Sequence, residues 1–311
     1  MALTLAEAAK LSQDDLQRGV LETFVQTSPV LDRIPFLPIH GNAYAYNEEA
    51  TLPGVEFRLV NEAYSESTGT VNQKTESLVI FGGDADVDHF IVQTRGNLTE
   101  QRAVQTAMKV KAASYKFQDH FINGDIVTDP KGFDGLKKRL VGAQVLDTAT
   151  NGLGPVTAGH EFFDKLDELF AAVQGGPDVL YAHKAVIAKI KSAGRRMGGV
   201  DMVREDLTGK RVVTWNGVPI LDLGMTAAGV DVLPRNEKQG TATDTSSIYA
   251  VRFGQDEGDQ AVTGLTNGGV QVRDLGELDA KPVFRTRLEF YCGLAVFGGK
   301  GAARLKGVLA T

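Results

Sequence analysis

The sequence is short of cysteine, of excess positive charge and of long apolar runs, and each shortage excludes a class of protein. Cys292 is the only cysteine among 311 residues. An internal disulfide framework is therefore impossible, and the chain suits folding in a reducing compartment. Cys292 lies in FYCGLAVF (residues 290–297), an apolar strand-like run, so it reads as a buried, inert thiol rather than a nucleophile. Lys and Arg total 33 against 39 Asp and Glu, a formal charge of -6. Sequence-independent nucleic-acid binding needs a basic face that releases counterions, which this balance argues against. No run approaches ~18 apolar residues and no basic-then-apolar leader opens the chain, so the reading is against membrane spanning and secretion. The 35 glycines are dispersed, which indicates many turns rather than a low-complexity linker.

Catalytic patterns are lacking too. Asp84, Asp86 and Asp88 alternate, so a strand would put the three carboxylates on one face, where oxygen ligands could hold Ca²⁺ or Mg²⁺. The calcium-loop pattern fails, because His89 stands where its glycine belongs and Arg95 where its glutamate belongs. A solvated or arginine-paired strand face is the favoured reading of the three. HEFFD (residues 160–164) has Asp164 in place of the second histidine of a zinc motif. His40, His89, His120, His160 and His183 are scattered, with His120 and His160 expected to face outward from helices. GGKG (residues 298–301) lacks the spacing of a phosphate loop. These residues lead to no catalytic, cofactor or metal site. A metal-dependent hydrolase on Asp84, Asp86 and Asp88 remains the remote alternative, without an obvious base.

What is present is an extended arm beside a long helix. In the first segment, Thr4 with Glu7 and Ser12 with Asp15 have capping spacing, and Leu16, Val20, Leu21 and Phe24 make a short apolar stripe. Pro29, Pro35 and Pro38 then forbid helix and favour an extended path. This arm is too small to be a domain, so its stripe must lie elsewhere on the chain or on another chain. Residues 42–90 read as long strands whose apolar members, among them Tyr44, Tyr46, Leu52, Phe57 and Leu59, form no sustained stripe. Such a two-stranded ribbon is marginal in water unless something covers it. Asn97 with Glu100 then caps the longest helical pattern, in which Ala103, Ala107, Val110, Phe117 and Phe121 share a face and Gly124 is placed to end it. About 26 residues at 1.5 Å each give a rod of roughly 39 Å. Residues 135–274 alternate helices and strands, with a type I′ hairpin at Asn216-Gly217.

The combination of IPFLPI (residues 34–39), the polar ribbon, GGDADVDHF (residues 82–90), the long helix, KGFDGLKK (residues 131–138) and GVPILDLG (residues 217–224) resembles the major capsid protein of tailed bacteriophages, with the Hong Kong 97-type shell fold. The likeness spans essentially the whole chain and is strongest from residue 82 to KGFDGL. It implies an α+β fold in four parts: residues 1–40 as an N-terminal arm, 41–83 as an extended loop, 84–134 with 283–311 as a peripheral domain around a spine helix, and 135–282 as an axial domain. It also implies a structural, non-enzymatic role. Copies would form pentamers and hexamers of an icosahedral head, assembled in the host cytoplasm, and become part of the virion around double-stranded DNA held without sequence-specific contacts. A scaffolding protein and a portal are the implied partners, with no membrane and no cofactor; whether a decoration protein also binds outside is left open by the sequence.

In that layout Tyr44, Tyr46, Leu52, Phe57, Leu59 and Lys74 of the loop, with Leu16 and Phe24 of the arm, would touch neighbouring subunits, while Val110, Phe117 and Phe121 would form the spine-helix core under Leu288, Phe290 and Leu294. Some relatives cross-link a loop lysine to an asparagine, and Lys74 and Asn267 are the candidates here; an ordinary solvated Lys74 is the favoured reading. The basic runs at Lys137, Lys138 and Arg139, and at Lys189, Lys191, Arg195 and Arg196, read as solvated faces or inter-subunit ion-pair partners. An encapsulin-like nanocompartment, with protein cargo in place of DNA, is the nearest alternative.

Overall fold

A computed structural model describes residues 24, 28–90, 98–196, 203–205 and 211–310. Strands β1 (Phe36–Pro38), β4 (Val79–Asp88), β12 (Val262–Leu278) and β13 (Lys281–Val296) form a four-stranded sheet in the order β1-β12-β13-β4. Helix α1 (Leu98–Asn123) lies across it. The interface is aromatic: Phe117 meets Phe290 at 6.3 Å, Phe36 at 6.2 Å and Phe133 at 5.8 Å between ring centroids. Val110, Phe117, Phe121, Leu288, Phe290 and Leu294 are all buried in this one core. Cys292 is buried there as well, and loss of solvent pushes its thiol pKa up, away from the reactive thiolate.

The buried face of α1 differs from the expected stripe in its first half. Ala103 and Ala107 are exposed, and Thr106 is buried in their place. Alanine has little area to hide, so the position of the larger Val110 and Phe117 sets the rotation of the helix. His120 is also turned inward: its ring meets Phe133 at 6.1 Å, and its Nε2 lies 3.4 Å from Asp129. His160, by contrast, is exposed. The glycine after the helix acts by closeness rather than by a left-handed turn, since Gly124 is not among the positive-φ residues. Gly135 donates its N–H to the Gly124 carbonyl at 2.9 Å, and a Cβ on Gly135 would meet the His120 and Ile122 carbonyl oxygens at 2.5 and 2.6 Å. KGFDGL thus folds its backbone directly onto the helix end, and α2 (Leu136–Arg139) starts from that contact.

The second sheet has eight strands. Its path is β5 (Val145–Asp147), β14 (Ala302–Leu309), β11 (Ala242–Val251), β6 (Val179–Tyr181), β9 (Val218–Leu221), β8 (Arg211–Trp215) and β7 (Val203–Glu205), with β10 (Glu237–Gln239) on β11. Asn216 and Gly217 both have positive φ, 47° and 82°, as the turn between β8 and β9 requires. Helices α3 (His160–Ala172) and α4 (Lys184–Arg196) bury Phe162, Leu166, Leu169, Val186 and Ile190 in a core shared with Leu180, Ile248 and Leu305.

Two expected boundaries are corrected by this topology. β12 pairs along its length with β13, so residues 262–278 belong with the spine-helix sheet and not with an axial unit ending at 282. β14 instead sits inside the eight-stranded sheet between β5 and β11, so the chain's last described segment does not return to the spine-helix sheet. Both errors have one cause: strand pairing between distant segments leaves no local signal.

Candidate assembly surface

β2 (Ala43–Thr51) and β3 (Thr70–Ser77) pair only with each other, in antiparallel register with Tyr44 opposite Glu76 and Tyr46 opposite Lys74. The period of two puts Tyr44 and Tyr46 on one face. There they stack on each other at 6.5 Å and set their rings against Phe297 at 6.1 and 4.9 Å. Tyr46 is 3% exposed and donates its hydroxyl to the Val296 carbonyl at 3.4 Å. Burial, with the Glu76 carboxylate nearby, pushes its phenol up to about 12. Tyr44 donates to Glu257 at 3.2 Å. Asn267 donates to the Gly41 carbonyl at 3.1 Å, and Arg139 forks onto both oxygens of Glu76. The ribbon root is therefore part of a small core with Ile39, Leu265, Ala295 and Phe297.

Beyond Thr51 the chain loses its strand pairing and closes on itself by polar contacts. Thr51 and Thr70 share a 2.6 Å hydroxyl contact, Ser67 donates to the Gly54 carbonyl at 2.9 Å, and Leu59 donates its N–H to Glu62 at 2.9 Å. Ser65 donates its N–H to Glu56 at 2.5 Å, which holds that carboxyl below its usual range. The Arg58 guanidinium lies 5.2 Å from the Tyr64 ring centre. The apolar side chains are turned out: Leu52 is 75% exposed, Val55 95% and Phe57 107%, with Leu59, Val60 and Tyr64 also exposed. A rooted arm presenting an uncovered apolar tip is a surface built to be covered by something else.

The expected contact residues thus divide into two groups. Leu52, Phe57 and Leu59 are uncovered among the described residues, whereas Tyr44 and Tyr46, expected to reach a neighbour, are held by Phe297 of the same chain. Phe24 is corrected likewise: it is buried in the main core with its edge to Phe290 at 6.0 Å. The arm around it is tied to the body by Ser28, which donates to Gln118, and by Tyr181, which donates to the Pro29 carbonyl. Leu16 lies outside the described residues. Lys74 pairs with Glu48 at 2.6 Å across the ribbon.

The carboxylate trio is engaged as well. Arg287 grips Asp84 and Arg285 grips Asp86, while Asp88 accepts the Phe90 N–H. These hydrogen bonds, from Arg287 and Arg285 first of all, hold Asp84 and Asp86 below the usual carboxylate range. Among the described residues no group of three His, Cys, Asp or Glu side chains could hold a metal ion, and no helix is long and apolar enough to cross a membrane. Sequence reasoning missed the Arg139–Glu76 fork and the role of Phe297. The alternation of Tyr44 with Tyr46 was the available signal for a buried ribbon root.

Comparison with known proteins agrees with this architecture. A family model for the major capsid protein GP7 matches residues 12–159, and one for the type 2A encapsulin shell protein, SrpI-like, matches residues 155–284. The fold is similar to that of the holo-SrpI encapsulin complex from Synechococcus elongatus PCC 7942, with TM-score 0.67 and 22% identity over 92% of this chain and 89% of that one. It is similar to the capsid of the native GTA particle, with TM-score 0.61 and 16% identity over 91% and 90%. A structure from Mycobacterium phage Bobi gives TM-score 0.58 and 16% identity over 98% of both chains. Comparison with curated protein sequences gave no match. The chain has the Hong Kong 97-type shell fold, shared by phage capsids and encapsulins.

Proposed function

We propose that the chain is the repeating subunit of an icosahedral shell, and that this shell is the head of a tailed bacteriophage. The observation that carries the shell reading is the ribbon: its root is locked into its own subunit while its apolar tip is uncovered among the described residues. Copies would cover one another's tips within pentamers and hexamers, and the role would be mechanical rather than catalytic. The GP7 match over residues 12–159 supports the phage assignment, since it includes the ribbon and the spine helix. A net charge of -6 suits a container that must let its DNA move during packing and ejection. Assembly would take place in the host cytoplasm with a separate scaffolding protein and a portal, and the head would mature into the virion.

The SrpI-like match over residues 155–284 favours a second reading, a nanocompartment around protein cargo. Negative-stain microscopy of particles from the native source tests the shell, and nuclease digestion of their contents separates the two readings. Closed particles of tens of nanometres with nuclease-protected double-stranded DNA are expected. Particles holding a folded protein instead would favour the nanocompartment, and the absence of closed particles would remove both. Correctly sized shells from this chain alone in a heterologous host would count against the scaffolding partner.

A further inference from the structure

The eight-stranded sheet carries a pocket of its own, lined by strands β10 and β14 and by α2. Lys137 of α2, Glu237 and Lys238 of β10, and Arg304, Lys306 and Gly307 of β14 line a depression of about 220 Å³. Four cations and one carboxylate in its wall invert the sign of a chain whose net charge is -6. The carboxylate is already engaged. Glu237 accepts from Arg304 at 2.9 Å and from the Ser247 hydroxyl, and Lys137 stands 3.5 Å away. Arg304 is further fixed by the Ser247 oxygen at 3.0 Å and by the Tyr249 ring, 5.6 Å below its guanidinium.

Lys306 is paired with Asp147 at 3.1 Å, so exposed Lys238 is the lining cation without an ion-pair partner among the described residues. The backbone at Gly307 packs one wall closely against Thr148 and Gln239. Its φ is +80°, and a Cβ there would strike Thr148 Oγ1 at 2.7 Å and Gln239 Cγ at 2.9 Å.

We propose that this pocket binds a phosphate group. Its volume lies below the roughly 300–1,000 Å³ of pockets for organic ligands, and fits one tetrahedral oxyanion with bridging waters. Lysine supplies the point charge and arginine the planar donors that phosphate oxygens accept. The group can come from free inorganic phosphate or from the backbone of a nucleic acid, and the same chemistry serves both.

Calorimetric titration of the full-length protein with sodium phosphate, at ionic strength held constant with sodium chloride, tests the site. Saturable binding is expected, weakened about tenfold in the double variant Lys238→Gln/Lys306→Gln and unchanged in Lys191→Gln on α4. Should the double variant not fold, Lys238→Gln alone keeps the test, because that side chain is exposed and unpaired; a measurable weakening is still expected. A short DNA duplex that displaces phosphate identifies the nucleic-acid source, and one that does not identifies the free anion. No saturable heat, or equal affinity in Lys238→Gln and the parent, would overturn the proposal. Shell formation, scored separately by microscopy, is expected to survive Lys238→Gln, so the two readings fail independently.

Discussion

Arg139 and Glu76 meet through two parallel hydrogen bonds, of 2.5 and 2.7 Å, across a separation of 63 positions. The contact joins α2, fixed by KGFDGL to the end of the spine helix, to β3 at the ribbon root. Both side chains are mostly buried, at 15% and 17% exposure. Together with the Tyr46–Phe297 contact it sets the direction in which the ribbon leaves the body.

Arg139→Ala would strand a poorly solvated carboxylate beside Tyr46. We expect a loss of about 1.5–3 kcal/mol, as for hydrogen bonds to charged groups. Arg139→Lys should recover only part of it, since an ammonium cannot form the fork. Denaturant unfolding of dissociated subunits measures both. A loss in Arg139→Ala no larger than that of an exposed pair, roughly 0.5 kcal/mol, would show that the clamp is ornamental.

Gly135 admits no side chain, because its α-carbon faces the His120 and Ile122 carbonyls. Gly135→Ala must therefore push the 131–138 turn off the helix end. Overpacking of this kind costs about 1–3 kcal/mol, and the displaced turn should loosen Phe133 over Phe117. Thermal unfolding, with hydrogen exchange at the C-terminal turn of α1, reads both effects. Unchanged stability and protection would mean that the backbone accommodates the methyl without moving.

The cross-strand pairs of β4 and β13 predict an acid response. Asp84 and Asp86 have folded pKa values below the unfolded value of about 4, so each adds stability that is complete above that value. The contribution is lost as pH falls through the folded values. Hydrogen exchange at residues 283–287, measured from about pH 6 to about pH 2, should show protection falling more steeply with acid in the parent than in Asp84→Asn/Asp86→Asn. The variant should be less protected near neutrality and converge with the parent in acid. Parallel profiles would show that the arginines contribute nothing to the hairpin.

The legible parts of this chain were those specified locally. Asn216-Gly217 announced its turn, and the buried spacing of Val110, Phe117 and Phe121 announced the helix. The illegible parts were pairings between remote segments. Phe36 lies in parallel register with Gly264, whose missing side chain leaves room for the Phe36 ring, and neither stretch alone reveals this. Arg139 read as one charge in a solvated basic run because its partner is in the ribbon. Tyr44 and Tyr46 read as unattached because Phe297 stands just past the far end of β13. The exposed tip was the exception: Leu52, Phe57 and Leu59 are uncovered among the described residues, so no remote pairing had to be read for them.

That division of the ribbon sharpens its test. Replacing residues 47–69 by a short Gly-Ser turn removes the apolar tip but keeps Tyr44, Tyr46 and the Arg139–Glu76 fork. The variant should stay soluble and unfold cooperatively, because the deleted apolar side chains are uncovered in the subunit. It should fail to close shells, since permanently joined subunits commonly bury over ~2,000 Å² per interface, of which an arm supplies much. In the intact protein, hydrogen exchange should find Tyr44 and Tyr46 equally protected in free subunits and in particles, because their cover is Phe297 of the same chain. Residues 52–69 should gain protection only on assembly, as segments that become ordered on binding do. Normal shells from the deletion, or no gain at residues 52–69, would remove the ribbon from the assembly mechanism. Root protection that appears only in the particle would instead mean that the Phe297 contact forms with the shell.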